Sequence, residues 1–375
     1  MEIAVVGAGP AGSLCALRLA GAGHRVTLFD PTHPREKPCG GGLTPGAFRR
    51  HPELEELRAL GRPALHVRLC GPRGEGVRVA LPAPIVVFAR ERLDGALVES
   101  ALDAGAELRR ERVRDVAVRA TGVDLATDRS SGRFDFVVGA DGAASVVRRR
   151  LVNERPGGRA SFATAGFHVK GLPESELYVE FFPDLRGYFW IFPREDHASV
   201  GIAAPVHRAS GAELRARVLE ALARRHPGSL SLPRTPYAAA IPCATPRRAR
   251  RPTLGEPRFA LVGDAADQND AITGEGIAHA LDSAALVAES LHEHGPLHAS
   301  RAYTERWMRG PGRELAVAAR WAACFVRPGS VAWFLRLARS RAWAQSVMAD
   351  CLACEQPYST LGRRALREAW RSAGA

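Results

Sequence analysis

The stretch Glu2-Ile3-Ala4-Val5-Val6-Gly7-Ala8-Gly9-Pro10-Ala11-Gly12 decides how this chain folds. An apolar strand runs into three glycines spaced Gly-x-Gly-x-x-Gly. Ser13 to Ala22, rich in Ala and Leu, then reads as a helix, and Arg25 to Phe29 as a second strand closed by Asp30. Strand, glycine turn, helix, strand and acid together mark a dinucleotide site, where a lone glycine pattern would not. Gly7 permits the tight turn, Gly9 lets a pyrophosphate approach the backbone, and Gly12 lets the helix pack on the strand. The helix N-terminus around Ala11 offers free N–H donors and positive potential to the phosphates. Asp30 is placed to accept from a ribose hydroxyl, and an acid there disfavours a 2′-phosphate. The expected tight ligand is FAD or NAD, not NADP.

Two later motifs favour FAD. Phe134 to Gly139 is an apolar strand ending in Ala140-Asp141-Gly142, with Ser145 and Arg148 following. Phe259 to Val262 is another, ending in Gly263-Asp264-Ala265-Ala266. Three strand ends on one edge of a parallel sheet suit a long, bent ligand. This ordered set resembles the flavoprotein hydroxylase superfamily typified by p-hydroxybenzoate hydroxylase. The resemblance implies that Asp264 holds the ribityl or ribose region and that Asp141-Gly142 supports the cofactor. It also implies that Arg90, in Val87-Phe88-Ala89-Arg90-Glu91-Arg92, reaches the FAD. Its bland alternative is an exposed helix start at Arg90 and Arg92. Thr273-Gly274-Glu275-Gly276-Ile277 reads as a helix start with Thr273 as N-cap and bare first-turn glycines. That N-terminus is expected to face the flavin pyrimidine and to stabilise negative charge there. Ala271 stands where relatives usually carry proline.

Two motifs select a branch. Lys37-Pro38-Cys39-Gly40-Gly41-Gly42, with Gly187-Tyr188-Phe189-Trp190-Ile191-Phe192-Pro193 and then Gly201-Ile202-Ala203, resembles the geranylgeranyl reductase family. Ala203 replaces that pattern's final glycine. The resemblance covers nearly the whole chain. It implies an FAD-dependent oxidoreductase that reduces isolated C=C bonds of an isoprenoid lipid by hydride transfer from reduced flavin N5. The electron donor is then transient NAD(P)H, or ferredoxin. Gly40, Gly41 and Gly42 would run beside the isoalloxazine, with Cys39 near its reactive face as proton donor, electrostatic tuner or plain buried hydrophobe. Tyr188, Trp190 and Phe192 alternate, so they share one strand face. That face is either a packing surface or an apolar wall for a prenyl chain, with Tyr188 and Trp190 counted among the catalytic candidates. Rival readings are an FAD-dependent monooxygenase, a halogenase (which needs a relay lysine, and only Lys37 and Lys170 exist), and a non-catalytic flavin or lipid carrier.

The 375 residues suggest two interleaved lobes. The FAD lobe, a Rossmann-like α/β unit, is expected from 1–60, 82–157 and 252–300. A mostly antiparallel substrate lobe is expected from 61–81 and 158–251, and C-terminal helices from 301–375. The formal charge of +12 is almost all arginine, as in a GC-rich coding sequence. No helix-turn-helix, zinc or RNA-binding signature accompanies it, so nucleic acid is not expected. No apolar run reaches about 18 residues. The N-terminus lacks signal-peptide character and the seven cysteines are scattered. These features suggest a cytoplasmic protein with free thiols and no metal site, Cys351-x-x-Cys354 included. Two thiols at that spacing suit one helix face. Trp307, Trp321, Phe325, Trp333, Phe334 and Trp343 among arginines give the tail a second reading besides packing: peripheral contact with the inner membrane face. Pro246 to Pro252 reads as a basic surface loop.

Overall fold

The computed structural model describes residues 1–155, 161–206, 209–325 and 327–373. The chain forms two units, each assembled from three stretches: Met1–Glu36, Arg90–Ala160 and Ile241–Ala319 in the first, Lys37–Ala89, Ser161–Ala240 and Arg320–Ala375 in the second.

The first unit is built on a six-stranded sheet. Its strand order is Gly255–Glu256, Phe259–Leu261, Phe136–Gly139, Glu2–Val6, Arg25–Phe29, Glu107–Arg109. All neighbours are parallel except the first pair. Val137, Val138, Ile3, Ala4 and Leu28 are wholly buried, as expected of strands covered on both faces. Helices Pro10–Gly21, Arg90–Asp103 and Ile277–Arg309 belong to this unit, as does a three-stranded antiparallel sheet over Val113–Arg119, Gly122–Thr127 and Ser131–Phe134. Val6 pairs with Gly139, and Gly139 with Leu261, so three adjacent strands end at one level.

The second unit carries an eight-stranded sheet in the order Arg234–Ile241, Phe162–Lys170, His197–Pro205, Tyr188–Pro193, Leu177–Phe181, Arg62–Cys70, Gly76–Val87, Gly42–Leu43. The pair Leu177–Phe181 with Arg62–Cys70 is parallel. One core forms where helix Gly211–Arg225, opened by a Ser210–Glu213 capping box, lays Leu214, Val218, Ala221 and Leu222 on Phe189, Ile191, Val200 and Ile202. Another joins the strands Arg62–Cys70 and Gly76–Val87 to Val331, Leu335 and Ala338 of helix Pro328–Ser340, and to Ala349 of helix Ala342–Leu352.

Several details differ from expectation. Residues 37–60 group with the second unit, because Gly42–Leu43 pairs with Val86–Val87. The helices from 320 onward also belong there, held by the second core. Pro246–Arg250 is a short helix capped by Thr245, and its Arg248 pairs with Glu154 and Asp267. Cys351 and Cys354 do not share a helix face, since the helix ends at Leu352 and Cys354 has a φ of 55°. Among the described residues no helix is long and apolar enough to cross a membrane.

Candidate functional site

The candidate cofactor site lies at the strand ends of the first unit. Gly7 has a φ of 101°, and a Cβ there would sit 2.4 Å from the Ala140 carbonyl oxygen. A Cβ on Gly12 would lie 1.8 Å from the Gly7 oxygen, so this glycine is required for helix and strand to meet. Gly9 differs: the atom nearest its Cβ position is His33 Nε2 at 4.0 Å, which leaves open space in front of the backbone. Gly9 is also the N-cap of helix Pro10–Gly21 and makes no side-chain capping bond. The N–H groups of Ala11 and Gly12, in the first turn, therefore lack an intrahelical acceptor. Uncapped donors beside a space that only glycine leaves fit a diphosphate.

Asp30 is more occupied than the sequence suggested. Its Oδ1 accepts from the N–H groups of Thr32 and His33, at 2.8 and 3.0 Å. Its Oδ2 accepts from Ala8 N at 3.0 Å and lies 2.8 Å from His33 Nδ1. Burial opposes its charge, but the His33 ring and the backbone donors outweigh burial and hold the carboxyl well below its usual range. The other edge of His33, Nε2, is 3.3 Å from Asp94. Asp94 in turn accepts a forked pair of bonds from Arg90 Nε and Nη2, both 2.8 Å. Arg90, expected to reach the FAD, commits Nε and Nη2 to Asp94, four residues along its own helix. All four side chains are buried.

The second and third strand ends are tied to each other. Asp141 Oδ2 accepts from Val146 N and Val147 N, and burial raises its carboxyl above the usual range. Ser145 caps helix Val146–Leu151 by accepting from Arg148 N. Arg148 then donates to the Ala265 carbonyl at 2.8 Å and pairs with Asp267 at 3.1 Å. Asp264, half-buried after Gly263 at φ 58°, accepts from Asn269 Nδ2 at 2.9 Å. The expected N-cap shifts: helix Ile277–Arg309 is preceded by Gly276, not Thr273. The segment before it is a turn in which Asp270 accepts from Ile272 N and Gly274 has a φ of 75°. Gly276 must be bare because a Cβ would fall 2.0 Å from Asn269 Oδ1.

The second unit carries its own set of candidate residues. Phe189 and Ile191 enter the core, so Tyr188, Trp190 and Phe192 share the opposite face. The Tyr188 and Trp190 rings are 5.9 Å apart, and Trp190 lies where a Cβ on Gly201 would strike it at 2.5 Å. Trp190 Nε1 donates to Ser199 Oγ at 3.3 Å, and the residue is buried. Against this face run Cys39 to Gly42. A Cβ on Gly40 would be 2.8 Å from the Phe192 ring, on Gly41 2.2 Å from the Phe88 carbonyl, and on Gly42 3.2 Å from Ile85. The backbone clash and φ of 84° make Gly41 obligatory, while Gly40 and Gly42 face side chains.

Residues outside the sequence motifs hold this loop. The Cys39 carbonyl accepts from Arg194 Nη2 and Ser199 Oγ, each at 2.7 Å. Ser199 also meets Tyr237 Oη at 3.1 Å, and Arg194 Nη1 lies 2.9 Å from His197 Nε2. Cys39 Sγ accepts from Gly41 N at 3.3 Å. Lys170 is exposed at the end of its strand. Arg194, buried to 2% exposure, directly follows the aromatic strand, and that adjacency was its one sequence signal. Arg194→Met keeps the bulk but removes the donor. Bonds from charged donors contribute about 1.5–3 kcal/mol. Residues 37–42 should loosen, and labelling of the Cys39 thiol by a disulfide reagent should quicken by about tenfold or more. An unchanged rate would show that Ser199 alone fixes the loop.

Three adjacent parallel strand ends, with a bare phosphate loop and two aspartates, define an FAD-dependent oxidoreductase. The chain belongs to the family described as FAD binding domain, which it matches over residues 1–306, and within it to the geranylgeranyl reductases. It is 30% identical over 365 residues to a menaquinone reductase of Mycolicibacterium smegmatis, covering 87% of this chain and 85% of that one. It is 31% identical over 323 residues to a geranylgeranyl diphosphate reductase of Synechocystis, covering 78% and 75%. A digeranylgeranylglycerophospholipid reductase of Methanosarcina acetivorans is 27% identical over 355 residues, covering 87% and 84%. In fold the chain is similar to a geranylgeranyl bacteriochlorophyll reductase-like protein of Thermoplasma acidophilum. That match has a TM-score of 0.79 at 20% identity, over 98% of both chains. It is also similar to a flavin-dependent brominase, at 0.73 and 19%, over 99% of both.

Proposed function

We propose that this enzyme reduces isolated carbon–carbon double bonds in the isoprenoid chain of a lipid. The observation that carries the reading is the aromatic face of Tyr188, Trp190 and Phe192, whose one indole N–H is already satisfied by Ser199. Such a face offers an alkene apolar contact, with the Tyr188 hydroxyl as its other polar group. The relatives' names support the reading: menaquinone, geranylgeranyl diphosphate and digeranylgeranylglycerophospholipid differ in head group but all carry a prenyl chain.

In this reading Gly7, Gly9, Ala11 and Gly12 hold the FAD diphosphate through backbone donors. Asp141, Asp264 and the turn at Gly274, Gly276 and Ile277 hold the rest of the cofactor. When bound and reduced, FAD supplies hydride equivalents to an unpolarised alkene. Tyr188, Trp190 and Phe192 orient the chain and exclude water. Cys39 Sγ delivers a proton to the second alkene carbon, and the Gly41 N–H, with the Arg194 and Ser199 bonds to the Cys39 carbonyl, fixes that sulfur. The initial electron donor is NAD(P)H or a ferredoxin.

The test is anaerobic. Bound flavin is reduced with dithionite and then mixed with geranylgeranyl diphosphate, menaquinone or a digeranylgeranyl lipid. Reoxidation is expected, with two mass units gained per bond in the prenyl chain, located by fragmentation because a quinone ring would itself take up two electrons and two protons. Cys39→Ala should slow reoxidation by about 10²-fold or more. A product that forms only with oxygen would replace the reductase by a monooxygenase.

A further inference from the structure

Helix Tyr358–Ala373 carries a surface that the reductase reading does not use. Leu366 and Trp370 are 74% and 80% exposed, the most exposed large apolar side chains among the described residues. They sit four apart and so form one ridge with Gly362. The adjacent ridge is Arg363, Arg367 and Arg371, all exposed. The half-buried side of the helix is a different set: Leu361, Ala365 and Ala369, with Arg364 bonded to Asp350 and Gln356. Packing therefore accounts for one side of the helix and leaves the leucine–tryptophan–arginine side unused.

We propose that this ridge docks the protein on an anionic lipid surface. Tryptophan and leucine suit the boundary between head groups and acyl chains, and arginine stems lie along apolar surface while their heads reach phosphate. Glu368 is the helix's one acid and lies within 3.7 Å of both Arg367 and Arg371, so the ridge stays basic overall. The formal charge of +12 has the same sign. Two side chains offer too little area for a stable protein interface, which buries about 1,000 Å² or more. A second copy would also bring three arginines against three arginines. A bilayer needs only shallow insertion and opposite charge. Docking of this kind is independent of which lipid the enzyme reduces.

The experiment is flotation of the full-length, FAD-loaded protein with vesicles of phosphatidylcholine alone or with phosphatidylglycerol added. Wild type should float with the anionic vesicles and be released as salt is raised. The double variant Leu366→Ser, Trp370→Ser should lower the bound fraction by about tenfold or more, as should Arg363→Gln, Arg367→Gln, Arg371→Gln. Both variants should keep flavin content and far-UV dichroism, since the altered side chains are exposed. Equal flotation of wild type and the double variant, or no flotation with anionic vesicles, would overturn the proposal. So would a wild-type dimer that the double variant converts to monomer.

Discussion

Asp94→Ala is expected to lower the thermal midpoint by on the order of 10 °C. Asp94 is wholly buried beside the Arg90 guanidinium and the His33 ring. Removing its carboxylate takes the forked acceptor from the Arg90 guanidinium in a low-dielectric interior, while His33 keeps Asp30. Breaking a buried pair on one side costs about 3–5 kcal/mol. In a domain of this size that corresponds to about 2–4 °C for each kcal/mol. Asp94→Asn retains shape and one acceptor, so its loss should be smaller. The double variant Arg90→Met, Asp94→Leu removes both charges of the forked pair and should recover most of the stability. Thermal unfolding followed by far-UV dichroism, repeated on the three variants, measures this. A single-variant shift below about 2 °C would mean that the pair is solvated.

The second large effect separates two glycines of the same motif. A Cβ at position 12 would fall 1.8 Å from the Gly7 oxygen, whereas at position 9 nothing lies closer than 4.0 Å. Gly12→Ala should therefore distort the junction of strand and helix even without cofactor. Overpacking of this kind costs about 1–3 kcal/mol or more, which corresponds to about 10–100-fold in FAD affinity if the loop bears the strain. Gly9 has an extended backbone, φ −75° and ψ −176°, that alanine adopts readily. Gly9→Ala should leave the midpoint of the apoprotein unchanged and yet weaken FAD, because only the incoming phosphate meets the new methyl. Fluorescence titration with FAD, paired with apoprotein melting, reads both quantities. If Gly9→Ala binds FAD as tightly as wild type, the diphosphate does not lie against this turn.

The strands of both units were legible because their patterns are local. Glu2–Val6 and Phe136–Gly139 are short apolar runs ending in glycine, and the alternation in Tyr188–Pro193 declared its faces. The polar groups that hold the site were not legible, because their partners are distant in sequence. Arg194 and Ser199 meet Cys39 across 155 and 160 residues. The Arg90–Asp94 pair was not read either, although the two residues lie one helical turn apart. The glycine triplet was read through its ligand, and the Phe88 carbonyl that makes Gly41 obligatory lies outside the motif.

The sheet of the first unit is completed late. Phe136–Gly139 pairs on one side with the chain's opening strand and on the other with Phe259–Leu261. A ribosome adding about 5–20 residues per second needs on the order of ten seconds to travel from one to the other. For that interval Val137 and Val138 sit at an open, apolar sheet edge, the kind of template that recruits other nascent chains. Overproduced protein should consequently depend on holdase chaperones during synthesis, and a transcript truncated before codon 259 should yield aggregate, not a smaller flavoprotein.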